Sequence, residues 1–579
     1  MNDPIFESKP GEFDPASHQD SVKSEKPRNG IEGFKHLRYD LLSGLVVSLV
    51  SLPLSSGIAI ASGAPPVVGL ISAIIAGLVF PFIGGAYMTI AGPAAGLAPA
   101  LFAVMTSLGG AGDSETIGEG YHFLLCVIFM VGVVQIVLVG LRLAKYSSII
   151  PIAVVEGMLA SIGLLIMVKQ IPMFLGYLPK PHAHEFYEFL LETPSYVQGA
   201  NTTAASVSVA TLVLLFVLSS FQKKVKFLKV VPPQLIAVVF GVVLALVLNL
   251  KQLDPKFLIS LPEKPFSSFT TPDFQGLMSR PDLWYAVVMG VITLTMIDGV
   301  ESLATAMAID RIDPFKRRSN PNRVLLAMGI SNMVSSVLGG LTIIPGGVKS
   351  KANIASGGRT LWANFTNAFC LLVYLLLARD LIMLIPKGAL AAVLIFTGWK
   401  MCEPAIWRHI ASIGKEQFFV FTATIIATLA TDLLWGIVIG TLLTLLLNGV
   451  MYRFALVSNV SSLSHMPTYF KTVTSLFSNP ISKHEIRSNE YRMVLGKPLN
   501  CFNSYKLSEE LNRIPSNIDK VVIDVGQNAG FVDHTGCENL MFEVEENPVA
   551  QRSICVEGLD QMTRISNSHA KCTHIALVP

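Results

Sequence analysis

Two lysines stand in a stretch of the chain that is otherwise small and apolar. Lys349 and Lys351 follow the Pro-Gly-Gly turn of Pro345–Gly347, inside the run from Ile343 to Thr360. A lysine at membrane depth is costly unless it is paired or hydrated, so these residues indicate a water-filled cavity that attracts anions. Residues two apart cannot share a helix face, so we assign Lys349 to the cavity and expect Lys351 to pair with a carboxylate. Snorkelling to the membrane surface, or a structural ion pair, is the alternative interpretation.

A second interrupted stretch runs from Thr89 to Ala100 and also contains glycine and proline near its start. Pro93 suits the first turn of a helix because its missing N–H is not needed there, and small neighbours leave backbone N–H groups open. A helix that begins inside a membrane points the positive end of its dipole at whatever lies in front of it. Close packing between helices is the competing interpretation of such small residues. The candidate anion-binding residues are Gly92, Pro93, Ala94, Ala95, Gly346, Gly347, Val348 and Lys349.

Two carboxylates and a hydroxyl share one helix face elsewhere in the chain. Asp298 and Glu301 are one turn apart, and Thr305 lies one turn beyond Glu301. A carboxylate beside a hydroxyl suits a hard cation such as Na⁺, or a proton if burial keeps the acid neutral. An ion pair with a nearby lysine, Lys349 included, is the alternative. We take Glu301 and Thr305 as candidate ligands of a metal cation and leave Asp298 open between the two interpretations.

The composition indicates what surrounds these residues. Of 579 residues, 51% are hydrophobic and 14% are charged, whereas soluble proteins average about 25% charged residues. A multi-span helical membrane protein in contact with lipid follows. The net charge of +3 indicates no nucleic-acid partner. The sequence has no phosphate-binding loop, zinc-protease motif, nucleophile elbow or metal-ligand cluster. We therefore expect no enzyme, no ATP-driven pump and no cofactor, with Na⁺ as the candidate coupling ion.

Fourteen apolar segments make up the membrane part, most of them near the roughly 20 residues that a helix needs to cross. The third and tenth are shorter and contain the two interrupted stretches. Fourteen divides into seven plus seven, and an odd number per half forces the second half to insert upside down. Paired broken segments in matching positions indicate a transporter site at the interface of inverted repeats. The segments lie near 41–62, 66–83, 89–107, 121–141, 147–169, 204–219, 231–249, 284–309, 323–340, 344–357, 360–378, 380–400, 416–430 and 432–455.

Basic residues determine the predicted orientation. They precede the first segment and cluster in the even-numbered connections, for example Arg142 with Lys145 and Arg317 with Arg318. By the positive-inside rule this side is cytoplasmic, as are both termini, in a multi-pass protein of the cell inner membrane. The connection at 250–283 carries basic residues on the predicted outside, which we discount because it is long and also holds acids. Residues 1–33 have no apolar run, so no cleaved signal peptide is expected.

The chain divides into four parts by composition. They are a disordered cytoplasmic tail at 1–33, a transmembrane transporter domain at 34–456, a linker at 457–491 and a small α/β domain at 492–579. In the last part we expect a strand at 520–525, a helix at 536–546 and further strands near 552–557 and 574–578. The seven cysteines show no paired spacing, so reduced thiols are expected.

Several motifs resemble the SulP family of anion transporters, which comprises sulfate permeases and bicarbonate-transporting relatives. The similarity begins with Leu52-Pro53 and Gly63–Pro66, continues through Ala91–Ala95, and covers almost the whole chain after residue 33. The resemblance implies fourteen helices in inverted repeats, a core domain that moves against a gate domain, and usually a homodimer. It also implies an anion held between the N-termini of the third and tenth helices. The later matches are Glu301–Leu303, Asn322, Gly329, Asn332, Gly339-Gly340 and Gly357–Thr360.

Within that family the sequence looks closer to the Na⁺-dependent bicarbonate transporters of cyanobacteria. Leu54 stands where sulfate-type members often have glutamine, and Lys349 where many members have arginine. In those bicarbonate transporters an acid and a threonine on the eighth helix bind Na⁺ together with backbone of the tenth. Glutamate for aspartate, a proline in the backbone set, and Arg323 in place of a glutamate are departures from that pattern. The matching cation residues here are Glu301, Thr305, Pro345, Gly346 and Gly347.

The C-terminal domain resembles a STAS domain, the fold of anti-sigma-factor antagonists. Its Asp533–Gly536 run matches a loop at a helix N-terminus whose first serine is phosphorylated in the antagonists. His534 occupies that serine position, so this switch is absent. A regulatory or dimer-supporting role is expected.

Together these features predict a secondary active transporter of a small inorganic oxyanion, most specifically bicarbonate by Na⁺ symport. Sulfate transport coupled to H⁺ or Na⁺ is one alternative, and an uncoupled anion channel or exchanger is another. A sensor or scaffold acting through the C-terminal domain is a further class. Against that class, a transporter is expected to keep its activity when residues beyond about 465 are removed.

Overall fold

The transporter part is an assembly of helices, and each of the fourteen predicted segments overlaps one of them. The computed structural model describes residues 26–93, 95–110, 118–142, 149–178, 186–222, 224–225, 228, 231–261, 270–431, 433–458, 469–487, 490–515, 518, 520–525, 529–546, 553–565 and 572–575. The helices are α1 Leu37–Ala61, α2 Pro66–Ile83, α3 Ala98–Ser107, α4 Glu119–Gly140, α5 Ile152–Lys169, α6 Thr202–Phe221, α7 Pro233–Val247, α8 Trp284–Arg311, α9 Pro321–Val337, α10 Gly347–Ala355, α11 Trp362–Leu377, α12 Lys387–Met401, α13 Lys415–Ala430 and α14 Leu433–Ser458.

The helices differ in length in the way that the interrupted stretches predict. Within the described residues, eight helices are long and apolar enough to cross a membrane, judged by length and composition. In contrast, α3 has 10 residues and α10 has 9, and each follows a short extended segment. Shorter helices on the connections are Ile171–Phe174, Phe186–Gln198, Leu250–Leu253, Phe274–Met278, Arg379–Ile382, Pro404–Ile413 and Tyr469–Leu476.

The fourteen helices pack as two domains, each built from both halves of the chain. One, the core domain, contains α1–α4 and α8–α11; the other, the gate domain, contains α5–α7 and α12–α14. Small residues allow the closest approaches, as expected where lipid gives no hydrophobic driving force between helices. In the core domain a Cβ added to Gly132 of α4 would lie 2.6 Å from the carbonyl oxygen of Gly329 in α9. In the gate domain a Cβ added to Gly398 of α12 would lie 2.5 Å from the carbonyl oxygen of Gly163 in α5.

A two-stranded antiparallel sheet joins the two interrupted segments. β1 is Ile90–Gly92 and β2 is Ile344–Gly346, and they pair Ile90 with Gly346 and Gly92 with Ile344. A 3₁₀ turn, Ala95–Leu97, then leads into α3, whereas α10 begins directly after β2. Because one strand comes from each repeat, the sheet brings the starts of α3 and α10 together.

A buried arginine, Arg317, lies in the connection between α8 and α9 of the core domain. Arg317 is 5% exposed and its Nε lies 2.7 Å from Asp313 Oδ2. Its Nη1 also donates to the carbonyl oxygens of Pro27 and Arg359, each at 2.8 Å. Residues 26–33, which the sequence assigned to a disordered tail, therefore have a defined position. Residues 26–33 pack against the core domain, because their backbone supplies carbonyl oxygens that satisfy the buried guanidinium.

We expect Arg317→Met to destabilise the protein strongly. The substitution leaves Asp313 buried without its partner, and breaking a buried ion pair on one side costs about 3–5 kcal/mol. The melting temperature of the detergent-solubilised protein should fall by many degrees. The matched control is Arg280→Met, which breaks an ion pair of 2.9 Å to Asp282 between side chains that are 51% and 59% exposed. This control should leave the melting temperature unchanged, and an equal drop for both variants would contradict the role of Arg317.

The C-terminal domain is a small α/β fold. Its helices are α15 Ser504–Arg513 and α16 His534–Glu546, and its strands are β3 Ile481–Arg487, β4 Glu490–Leu495, β5 Lys520–Asp524, β6 Phe531–Val532, β7 Ser553–Glu557, β8 Thr563–Arg564 and β9 His574–Ile575. One sheet has the order β3-β4-β5-β7, antiparallel between β3 and β4 and parallel elsewhere. A second has the order β6-β9-β8. Two successive parallel strand–helix–strand units of this kind agree with the resemblance to a STAS domain.

The boundary of this domain differs from the predicted one. β3 lies inside the stretch assigned to a linker, 457–491, and residue 492 falls within β4. The helix Tyr469–Leu476 lies in the same stretch. The strand was not expected because β3 is an edge strand with a largely polar sequence, Ile-Ser-Lys-His-Glu-Ile-Arg, which carries little apolar alternation. The predicted strands near 520, 552 and 574 and the predicted helix near 536 are present, although residues 576–579 lie outside the described part.

Candidate anion site

Lys349 lies in the first turn of α10 with its side chain folded into the core domain. Gly346 is the N-cap of this helix, and Lys349 is only 1% exposed. Its Nζ donates a hydrogen bond of 3.1 Å to Ser55 Oγ on α1. The ammonium also sits over Gly92, because a Cβ added to that glycine would lie 2.6 Å from Nζ. Any side chain at residue 92 would therefore displace the charge.

The positive charge of Lys349 has no carboxylate partner in the described part of the chain. It forms no ion pair there, and Glu301 Oε2 is buried without a hydrogen-bond partner. An ion pair between Lys349 and Glu301, considered above, is therefore not formed. Lys351 is exposed, and none of the described carboxylates pairs with it, contrary to expectation. Because Lys351 lies two residues beyond Lys349, its side chain projects from a different face of α10.

A buried ammonium that donates one hydrogen bond keeps two further N–H donors. Burying such a charge is unfavourable unless a counter-charge is close to it. A small anion in front of α10 would provide that counter-charge and accept the remaining donors. The neighbouring Val348 is 36% exposed, so the first turn of α10 borders open space on one side. The N–H donors of Lys349 and of the first turn of α10 can therefore bind an anion.

The approach to α3 differs from the prediction. A helix was expected to start near Gly92-Pro93, but residues 90–92 form β1 and α3 begins at Ala98. The physical reason is that β1 pairs with β2, so these backbone groups cannot also open a helix. Ala95 lies in the first 3₁₀ turn, Gly92 contributes extended backbone beside Lys349, and Ala94 lies outside the described residues.

Helix α8 carries Glu301 and Thr305 to the starts of both short helices. A Cβ added to Gly96 would clash with the Glu301 carboxylate, and one added to Gly347 would lie 3.8 Å from Thr305 Cγ2. The structure thus places Glu301 at the 3₁₀ turn that precedes α3 and Thr305 at the first residue of α10. A buried carboxylate oxygen without a partner is rare and calls for an explanation such as an ion or a proton. Glu301 Oε2 is such an oxygen, and Asp298 Oδ1 is another.

Asp298 belongs to a different arrangement, which connects α8 to α4 and α9. Its Oδ2 accepts hydrogen bonds from Gln135 Nε2 at 2.6 Å and Asn332 Nδ2 at 2.9 Å. Asn332 Oδ1 in turn accepts from the backbone N–H of Ile343 at 2.6 Å, just before β2. Asp298 therefore positions the approach to α10, and of the two acids only Glu301 lies against the helix starts.

Two serines at this junction were not identified from the sequence. Ser55 is the only described side chain with a hydrogen bond to Lys349. Ser350 Oγ accepts from the backbone N–H of Ile90 at 2.9 Å and donates to the carbonyl oxygen of Gly346 at 2.6 Å, which links β1 to α10. Isolated serines in apolar helices are a weak signal, and the contacts join residues about 260 to 294 positions apart.

An inverted-repeat membrane fold with a buried lysine between two helix starts, and no ion pair to that lysine among the described residues, indicates a transporter of small anions. The chain belongs to the sulfate permease family, whose sequence pattern matches residues 37–424. The expected family, the fold class and the expectation that the protein is not an enzyme are thereby confirmed.

Named relatives include transporters of two anions. The chain is 24% identical over 544 residues to the bicarbonate transporter BicA of Picosynechococcus sp., covering 92% of this chain and 90% of that protein. It is 27% identical over 413 residues to the putative sulfate transporter YvdB of Bacillus subtilis, covering 70% and 72%.

Solved structures share the fold. The transmembrane domain of a cyanobacterial BicA superimposes with a TM-score of 0.61 at 26% identity, covering 70% of this chain and 98% of that chain. SLC26A9 superimposes with a TM-score of 0.63 at 14% identity, covering 90% and 84%, which shows a common fold alone.

Proposed function

We propose that the protein is a secondary active transporter that carries bicarbonate together with Na⁺ by alternating access. The anion binds between the starts of α3 and α10, beside Lys349. The observation that supports this proposal is the buried Lys349 ammonium, which donates to Ser55 and has no ion pair among the described residues. An anion in front of it would stabilise that charge, and the transported substrate would supply one.

The site offers the anion two kinds of stabilisation. The exposed N–H groups of a helix start and the associated dipole favour negative charge. Lys349 adds a positive charge that is buried in the core domain beside the first turn of α10. Together they offset the dehydration of a small oxyanion, which is the main cost of moving it into the protein.

Na⁺ is the coupling ion in this proposal. Glu301 has an orphaned carboxylate oxygen, and Thr305 lies one turn away next to Gly347. Carboxylate, hydroxyl and backbone carbonyl oxygens are the ligands that hard cations prefer. Glu301, Thr305 and the backbone of Pro345, Gly346 and Gly347 would hold the ion. A cation there balances the charge of the anion that Lys349 attracts.

Bicarbonate is favoured over sulfate because BicA aligns over 92% of this chain, against 70% for the putative sulfate transporter YvdB. Sulfate is the second candidate, since YvdB is a putative sulfate transporter of similar identity. The homodimer, the inner-membrane location and the cytoplasmic termini belong to the same proposal. They are supported by the family resemblance and by the basic residues of the even-numbered connections.

The test is uptake into liposomes that contain the purified protein. Radiolabelled bicarbonate, sulfate and chloride are compared with and without an inward Na⁺ gradient, with protein-free liposomes as the blank. Bicarbonate uptake should be saturable and should rise with the Na⁺ gradient. Uptake that responds only to a proton gradient would favour a proton-coupled sulfate-type transporter, and uptake that ignores every cation gradient would indicate a channel or an exchanger.

A further inference from the structure

The Asp533–Gly536 loop of the C-terminal domain is buried against the gate domain. Asp533 Oδ2 accepts hydrogen bonds from Asn448 Nδ2 on α14 at 2.8 Å and from the backbone N–H of Cys501 at 3.1 Å. Its Oδ1 accepts from the N–H of Gly536 at 2.6 Å. Burial raises the pKa of Asp533, and these hydrogen bonds oppose that rise. The carboxylate thus joins its own loop to the last helix of the transporter.

The next residues of the loop complete the contact. Thr535 Oγ1 accepts a hydrogen bond of 3.2 Å from the backbone N–H of Ile152, the first residue of α5. The N–H groups of a first helical turn have no partner inside the helix, so Thr535 acts as a cap supplied by another domain. His534 and Thr535 are 2% and 4% exposed. A modifying enzyme cannot reach the position that is phosphorylated in STAS antagonists while this contact is formed.

Further contacts extend the same interface along the gate domain. Phe531 and Ile575 pack with Ala455 of α14 in a small apolar cluster. Thr573 Oγ1 lies 3.1 Å from Glu416 Oε1 at the start of α13. Three gate helices, α5, α13 and α14, therefore hold the C-terminal domain through both polar and apolar contacts.

The helix that follows the loop reaches the other half of the transporter. On α16, the ring of Phe542 lies under the guanidinium of Arg318, with 4.7 Å from Cζ to the ring centroid. Arg318 belongs to the connection between α8 and α9, which is part of the core domain. One small domain thus contacts the gate domain on a broad surface and the core domain through this pair.

We propose that the C-terminal domain is docked on the gate domain by the Asp533–Gly536 loop and restrains the core domain through the Phe542–Arg318 contact. The restraint rests on the alternating access proposed above, in which the core domain moves against the gate domain. The gate contacts persist through the cycle, whereas the Phe542–Arg318 contact has to open in each turnover. The loop that carries a phosphorylation switch in the antagonists serves here as a docking contact through Asp533 and Thr535.

The experiment compares two crosslinks in the full-length protein in liposomes. The core pair is Arg318→Cys with Phe542→Cys, and the gate pair is Glu416→Cys with Thr573→Cys. Both are treated with a short bifunctional methanethiosulfonate, which a reductant reverses. The unsubstituted protein, with its seven cysteines, is treated in the same way as the control. Crosslinking within the monomer is followed by its shift in gel mobility, and function by anion uptake.

Both pairs should crosslink, the core pair should lose most of its uptake until the reductant is added, and the gate pair should keep its uptake. Phe542→Ala alone should raise the maximal rate about two- to fivefold, the effect expected when a cation–π contact is lost, without changing the melting temperature. Failure of both pairs to crosslink would overturn the docking. Normal uptake by the crosslinked core pair, with an unchanged rate for Phe542→Ala, would overturn the restraint. If the unsubstituted protein takes up no anion, the transport proposal fails, and the crosslinking yields still decide the docking.

Discussion

Lys349→Ala should raise the apparent KM for the transported anion by about 10- to 150-fold, the range that corresponds to losing one hydrogen bond to a charged group. Lys349 is the buried cation beside the starts of α3 and α10, and Ser55 is its hydrogen-bond partner. Without it the anion would keep only the backbone N–H groups and would lose its counter-charge. The measurement is the concentration dependence of initial uptake in liposomes at matched protein content.

Lys351→Ala is the matched control for this result. It removes the same charge from the same short helix, but Lys351 is exposed. Its KM should stay close to that of the unsubstituted protein. Equal changes in both variants would mean that the general positive potential of α10 matters and that Lys349 has no direct contact with the anion. An unchanged KM for Lys349→Ala would remove it from the site.

Glu301→Gln should abolish or strongly weaken the dependence of uptake on Na⁺ while the protein still folds. The amide keeps the shape of the side chain against Gly96 but lacks the charge and one of the acceptor oxygens. The half-saturating Na⁺ concentration is measured at fixed bicarbonate, and the proton dependence is measured in the same vesicles. A variant that loses proton dependence instead would assign Glu301 to a proton.

Asp298→Asn separates this effect from simple damage to the helix. Asp298 lies one turn away and holds Gln135 and Asn332. Its replacement should lower the melting temperature, because a neutral amide oxygen accepts the two hydrogen bonds more weakly than a carboxylate does, and should leave the half-saturating Na⁺ concentration unchanged. A loss of Na⁺ dependence in this variant would place Asp298 in the cation site as well.

The start of α10 and the start of α3 show how far the sequence could predict the site. Pro345–Gly347 indicate where α10 begins because proline and glycine act locally on the backbone, and the helix begins at Gly347. Gly92-Pro93 carry a similar local signal, yet the chain there pairs with β2, more than 250 residues away. Local chemistry could not reveal that pairing. The same holds for Ser55, which meets Lys349 only because α1 and α10 pack together.

The order and number of helices were predictable because hydrophobic length and broken segments are local properties. The partners of the polar residues were not. The Asp298 network connects three helices, and Lys351 was expected to find an acid where the fold provides none among the described residues. The docking of the Asp533–Gly536 loop is a further case, since its motif carries no information about Asn448 and Ile152, which its residues contact.

The position of Glu301 at the helix starts also has a consequence for the membrane voltage. Asp298 Oδ2 accepts from Gln135 and Asn332, whereas Glu301 is the carboxylate that lies against Gly96. In the Na⁺ symport that we propose, this carboxylate would bind one Na⁺ per cycle. A cycle that moves one Na⁺ with one bicarbonate transfers no net charge, so voltage neither drives nor opposes it. The same cycle with one sulfate would move one negative charge, at about 2.3 kcal/mol per 100 mV.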